Sequence, residues 1–385
     1  MDCISEKVIG PFLDSVRGTG LLRKLTPMVP LSGREVLVDG RAVLNFSSNN
    51  YMGIADHPAL KAAAREWTER HGVGSGASRL VTGTLPEHLE VEARLAKWKK
   101  TEAALVVGAG YMANVGCIAA LADRDTTIFA DKLNHASLND GCVLSRAELK
   151  RYRHNDPAHL AKLLAACPNE RKLIVSDTVF SMDGDVADLA ALRELALQHR
   201  AFLYLDDAHA SGVLGPDGSG LANGRNCELA MGTFSKALGS YGAYLACSRQ
   251  TRDYLVNRCG SFVYTTALPP AVWGAIDAAV ELLSSPAMGA VREAYLARTA
   301  KLAAALRADG FDLGASSTPI LPVIVGEAED AKRLSAALLE RGVLGMPIRP
   351  PTVPKGSSRL RLTVTAAHTD ADLALLRQAL LEAKC

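Results

Sequence analysis

The chain is poor in aromatic residues, at 5%, and almost lacks a charge imbalance: 43 basic and 41 acidic residues leave a formal net charge of +2. No basic run stands out, which argues against a nucleic-acid partner. The opening residues, MDCISEKVIGPFLDS, mix acids and bases and contain no apolar signal core. The eight cysteines, at positions 3, 117, 142, 167, 227, 247, 259 and 385, show no CxxC spacing. That argues against a patterned zinc site and for reduced thiols in a cytoplasmic protein. Internal repeats and low-complexity segments are missing. One apolar stretch, residues 103–122 (AALVVGAGYMANVGCIAALA), has the length of a membrane span. Its glycines and Asn114 fit a short strand, a glycine turn and a buried helix better, so no membrane association is expected.

What the 385 residues do contain is an alternation. Short apolar runs (Ala104–Val107, Thr127–Ala130, Leu173–Ser176, Phe202–Leu205, Tyr244–Cys247) are separated by amphipathic stretches such as Pro86–Lys99 and Asp188–Gln198. This predicts an α/β fold with a mostly parallel sheet flanked by helices. In such sheets ligand groups gather at the carboxyl ends of the strands. Residues 1–44 read as an N-terminal arm, helical at first and turn-rich near Gly33 and Asp39-Gly40. Residues 45–270 read as the large domain. Residues 271–385 read as a smaller α/β domain with helices over 287–308 and 328–341, strands over Ile320–Val325 and Leu360–Thr365, and a last helix from Asp370. The cleft between the two domains is the expected substrate site.

Two segments carry chemistry only when taken together. AFLYLDDAHASG (201–212) is a buried strand ending in two acids and a histidine, and MGTFSKALG (231–239) holds a lysine among small and hydroxyl residues. A pyridoxal-phosphate enzyme needs a lysine for the Schiff base and a carboxylate to keep the pyridine nitrogen protonated. Lys236 and Asp206, 30 residues upstream, are the candidates. His209 is placed to point at the ring hydroxyl. Asp207 is expected to be structural, because successive strand residues face opposite ways. The turn Val107-Gly108-Ala109-Gly110-Tyr111 opens an apolar helix and suits a phosphate. It has neither GxGxxG nor GxxxxGK[ST] spacing, so dinucleotide and P-loop readings fail. Thr233 and Ser235 offer hydroxyls, His135 a flat ring for stacking, and Ser181 a turn serine.

The chain resembles the α-oxoamine synthase family of fold type I pyridoxal-phosphate enzymes. The likeness rests on LNFSSNNYMG (44–53), HGVGSGASRLVTGT (71–84), FADKLNHASLNDG (129–141), VFSMDGD (179–185), DDAHASGVLG (206–215), TFSKALG (233–239) and VYTTALPP (263–270), in family order. It implies that Lys236, His135, Asp206 and His209 are catalytic. It implies that Gly110, Tyr111, His135, Ser181, Asp206, His209, Thr233 and Lys236 hold the cofactor, with Thr266 reaching the phosphate of a neighbouring subunit in a homodimer. Arg23 in the helical pattern of the arm, His135, Thr352 and Arg361 would bind substrate, Arg361 taking the amino-acid carboxylate. The tail IRPPTVPKGSSRLRLTVTAAH (348–368) resembles members that join L-alanine to a pimeloyl thioester, carried on coenzyme A or acyl-carrier protein. Asn50, Ala77, Tyr111 and Ser235 depart from the family's commoner residues without removing a catalytic group. The alternatives are a sister synthase using glycine and acetyl-CoA, an aminotransferase on the same fold, and a non-catalytic homologous subunit.

Overall fold

In the computed structural model, which describes residues 2–19 and 21–384, Asp39 and Gly40 have φ of 47° and 77°. Two left-handed residues in succession make the tight turn whose twist suits a hairpin. They join β2 (Glu35–Val38) to β3 (Arg41–Asn45), and β1 (Met28–Pro30) lies antiparallel on β2.

The main sheet contains β4 (Ala103–Val107), β5 (Thr126–Asp131), β6 (Glu148–Tyr152), β7 (Arg171–Asp177), β8 (Phe202–Asp206), β9 (Leu229–Thr233) and β10 (Ala243–Cys247). Their order is β4-β10-β9-β8-β7-β5-β6. Pairing is parallel from β9 across to β6, and β10 runs antiparallel to both of its neighbours. This is the mostly parallel sheet that the alternating pattern predicts. Every residue of β4, β5, β9 and β10 is buried. Side chains alternate between two apolar cores: Phe129, Ile174, Leu203 and Leu205 on one face, Ile128, Leu173, Val175 and Tyr204 on the other. Helices cover both faces, so these strands read as unbroken apolar runs. One strand was not legible that way: β6 (ELKRY) is an edge strand with charged, partly exposed residues. β9 (LAMGT) is short and holds Gly232, yet it supplies the apolar run just before Lys236.

Residues 103–122 form β4, a glycine turn and helix Gly110–Leu121. Among the described residues no helix is long and apolar enough to cross a membrane.

Beyond helices Pro270–Ser284 and Pro286–Ala308 come β11 (Ile320–Gly326), helix Ala328–Glu340, β12 (Val343–Leu344), β13 (Met346–Ile348), β14 (Ser358–Thr363) and helix Asp370–Ala383. β11, β14 and β13 form an antiparallel sheet, while β12 pairs in parallel with β3 and so ties the hairpin to the C-terminal third. The last strand starts and ends earlier than the expected Leu360–Thr365. Thr365 leaves the ladder because its N–H donates to His368 Nδ1 at 3.0 Å. Arg23 also differs from expectation: helix Gly10–Gly18 ends at Thr19, and residues 21–27 have no regular structure.

Candidate active site

The carboxyl ends of β5, β7, β8 and β9 surround a cavity of about 270 Å³, lined among others by Gly110, His135, Asp177, Asp206, His209 and Lys236. The sheet order explains the convergence. Parallel neighbours present the same end to one side, so residues distant in sequence meet.

Asp206 ends β8 and is buried. Its Oδ2 accepts from Asn114 Nδ2 at 2.7 Å and its Oδ1 from the Ala208 N–H at 2.9 Å. Tyr204 donates its hydroxyl to Asn114 Oδ1 at 2.8 Å, which leaves the Asn114 amide nitrogen to face Asp206 and Ser137. Helix Gly110–Leu121 and β8 together thus fix the carboxylate. Asp207, the next residue, turns the other way. It forms a fully buried ion pair with Lys99 at 2.7 Å, and its Oδ1 accepts from Thr178 Oγ1, Leu221 N and Ala222 N. The two acids are neighbours in sequence but serve opposite sides of the strand.

His135 caps helix Ala136–Ser145 and donates its backbone N–H to Asp177 Oδ2 at 2.8 Å. Its Nδ1 lies 2.7 Å from Ser137 Oγ, and Ser137 Oγ accepts from Asn114 Nδ2 at 2.8 Å. Loss of hydration lowers the His135 pKa, with Asp206 opposing and Lys236 reinforcing. His209 is buried, and its Nδ1 lies 2.6 Å from the Tyr51 hydroxyl. Burial first, then the charges of Lys236 and Arg361, pushes its pKa well down, so the ring is neutral.

Lys236 follows β9 and is half-buried. Desolvation lowers its amine to about 8, against the pull of Asp206 and Asp177. Across the cavity, helix Gly110–Leu121 starts at Ala109 with no side-chain cap. Its first N–H groups lie beside Thr233 and Ser235, whose hydroxyls are 2.7 Å apart. An uncapped helix start next to two hydroxyls is a ready anion seat.

Of the remaining sequence candidates Tyr111 lines this cavity, while Arg361, Ser181, Arg23, Thr352 and Thr266 lie outside it. Arg361 on β14 is buried and, among the described residues, hydrogen-bonded only to neutral acceptors: Ser181 O, Asn49 Oδ1, Thr363 Oγ1 and Tyr51 Oη. Ser181 thereby touches Arg361 through its carbonyl. Arg23 donates to Thr352 Oγ1 at 3.2 Å in an exposed contact. Thr266 bridges to Ser78 and borders a second, small cavity with Thr265 and Gly108, behind the glycine turn. Tyr111 is exposed and donates its hydroxyl to Asp140.

Sequence reasoning missed three residues here. Asp177 pairs in register with Asp206 across β7 and β8. Burial, with Asp206 adding, raises its pKa well above the ordinary carboxyl value. Its signal was available, since it closes an apolar run just as Asp206 does. Asn114 counted only as a polar interruption of an apolar stretch. Tyr51 had no signal beyond its motif.

A model of the class I and II aminotransferases matches residues 41–380. The 8-amino-7-oxononanoate synthase of Gluconacetobacter diazotrophicus is 50% identical over 382 residues, 96% of this chain and 95% of that one. That of Geobacter sulfurreducens is 50% identical over 366 residues, 94% of each. Among solved structures, a serine palmitoyltransferase from S. paucimobilis with bound pyridoxal phosphate and myriocin superposes with a TM-score of 0.91 at 30% identity, over 100% of this chain and 98% of that one. The 8-amino-7-oxononanoate synthase of Francisella tularensis gives a TM-score of 0.76 at 26% identity, over 89% and 97%.

Proposed function

The chain belongs to the class I and II aminotransferase family, in the branch whose curated members are named 8-amino-7-oxononanoate synthase, and we propose that it carries out that branch's reaction. It is a pyridoxal-phosphate-dependent acyltransferase of biotin biosynthesis. It condenses L-alanine with a pimeloyl thioester and releases CO2 and free thiol. The observation that carries this reading is half-identity over nearly the whole chain, joined to one cavity that holds a lysine amine, a buried carboxylate and an uncapped helix start.

Those groups fit pyridoxal phosphate by chemistry: an amine for the aldehyde, a carboxylate for the ring nitrogen, and an anion seat for the phosphate. Bound there, the cofactor supplies an electron sink for a carbanion at the alanine Cα. Lys236 would hold the cofactor through its amine, and the same amine would serve as the base for the alanine Cα proton. A pKa near 8 suits a base that works close to neutral pH. Asp206, steadied by Asn114, would keep the ring nitrogen protonated. His209 would hold the ring oxygen, and His135 would pack against the ring and contact substrate. Gly110, Tyr111, Thr233 and Ser181 would hold the cofactor, with Thr266 of a second copy reaching the phosphate. Among the described residues the Arg361 guanidinium has no anionic hydrogen-bond partner, which suits it to the alanine carboxylate. Arg23 and Thr352 contact the acyl substrate. Residues 45–270 act as the large cofactor domain, 271–385 as the small domain and 1–44 as the arm, in a cytoplasmic homodimer. The thioester is carried on coenzyme A or on acyl-carrier protein.

Product mass spectrometry tests the reading. Alanine and glycine are each paired with pimeloyl and acetyl thioesters. The expected outcome is 8-amino-7-oxononanoate from alanine and the pimeloyl thioester. A preference for glycine and the acetyl thioester would assign the sister reaction instead.

A further inference from the structure

Arg361 and His209 are 152 residues apart in the chain, yet one hydroxyl joins them. Arg361 Nη2 donates to Tyr51 Oη at 3.2 Å. A guanidinium has no acceptor, so Tyr51 accepts this bond and keeps its single proton to give elsewhere. Burial raises the Tyr51 pKa, so the hydroxyl stays protonated beside Arg361. Two acceptors are within reach of that proton. Asn49 Oδ1 is 3.4 Å away and already takes Arg361 Nη1 at 3.1 Å; His209 Nδ1 is 2.6 Å away. The difference in length decides the direction, because a bond at 3.4 Å is weak and one at 2.6 Å is strong.

We propose that Tyr51 is a positioning residue that sets the tautomer of His209: it accepts from Arg361, donates to His209 Nδ1, and so places the imidazole proton on Nε2. The hydrogen bond at one ring nitrogen dictates the state of the other. Among the described residues His209 Nε2 has no hydrogen-bond partner, and the ring lines the cavity. His209 therefore presents a neutral N–H donor to whatever oxygen occupies that wall. Resting on the cofactor reading above, that oxygen is the anionic ring oxygen of pyridoxal phosphate. Without Tyr51 the ring could take the opposite tautomer and aim a lone pair at the anion. His135 is locked in the same sense by a separate chain, Asn114 to Ser137 to His135 Nδ1, which supplies an internal reference.

The test is nitrogen NMR on the full chain labelled with ¹⁵N-histidine, the His209 signals being identified by a His209→Asn variant. Without cofactor, the wild-type chain should show His209 Nδ1 in the unprotonated range and Nε2 in the protonated range. Tyr51→Phe should lose this single-tautomer pattern for His209 and keep it for His135, with an unchanged circular-dichroism spectrum. A protonated Nδ1 in the wild-type chain would overturn the proposal with no variant needed. So would a Tyr51→Phe spectrum in which His209 is unaltered. Addition of pyridoxal phosphate separates the two claims. Movement of the Nε2 signal supports both. A correct tautomer whose Nε2 signal ignores the cofactor leaves the Tyr51 assignment standing and removes the cofactor reading.

Discussion

The inner and outer parts of the site are built differently. Inside, Asp206, His135 and His209 are each held by at least one hydrogen bond of 2.9 Å or less from a partner that is itself held. Outside, Arg23 and Thr352 meet in one exposed 3.2 Å contact, on chain with no regular structure around Arg23. The inner part sits on strand ends and is fixed before any ligand arrives. The outer part is adjustable. Electrostatic preorganisation is worth most in a dry, rigid setting. Recognition of a chain of given length needs less precision. On the function proposed above, chemistry belongs to the inner region and substrate preference to the outer one.

Substitutions can break this contrast, and the largest effect is expected innermost. Lys236→Ala should cut turnover by at least about 10⁴-fold, since it removes both the cofactor tether and a base. Thiol release and the near-visible absorbance of bound cofactor would report it. Next is Lys99→Met, behind the cavity. It strands Asp207 in a fully buried site, and breaking such a pair costs about 3–5 kcal/mol. Urea unfolding would measure this, and a loss below about 1 kcal/mol would show that Asp207 finds another partner. Arg361→Lys keeps the charge but not the fork. A KM for alanine raised roughly tenfold to a hundredfold is expected, in line with about 1.5–3 kcal/mol for a hydrogen bond to a charged group. Thr352→Ala, in the outer region, should change KM for the acyl thioester by only a few-fold, as about 1 kcal/mol or less implies. A loss as large as that of Lys236→Ala would erase the distinction between the regions.

A pH test addresses a separate ion-pair network at the end of β5. His154 lies between Asp131 and Asp185, 3.0 Å from each. Burial alone would lower its pKa, but the two carboxylates outweigh it and raise it to about 10. The folded value exceeds the ordinary 6.5, so the stabilisation is complete below pH 6.5 and is lost as the pH rises through about 10. The stability gap between the wild-type chain and His154→Gln should therefore close over that interval in urea titrations.

Much of the inner site was legible because each group ends a recognisable run: Asp206 after FLYL, Lys236 just past LAMGT, Gly110 between a strand and an apolar helix. Asp177 obeyed the same rule and went unused, because one acid at a strand end suffices for the chemistry and a second was not sought. Asn114 and Tyr51 were out of reach for another reason. Their value depends on the partner across the gap, Asp206 for one and His209 for the other, and no local pattern marks a residue whose role is to orient a distant one.

By itself the sequence determined the alternation of strands and helices, the lysine, the carboxylate and the glycine turn, since these follow from periodicity and side-chain chemistry. The tertiary structure alone decided which face of β8 each aspartate serves, which amide holds Asp206 and which hydroxyl meets His209. Those outcomes depend on distances between segments brought together by the order β9-β8-β7-β5, and a hydrogen bond's direction is set by tenths of an ångström that no one-dimensional pattern carries.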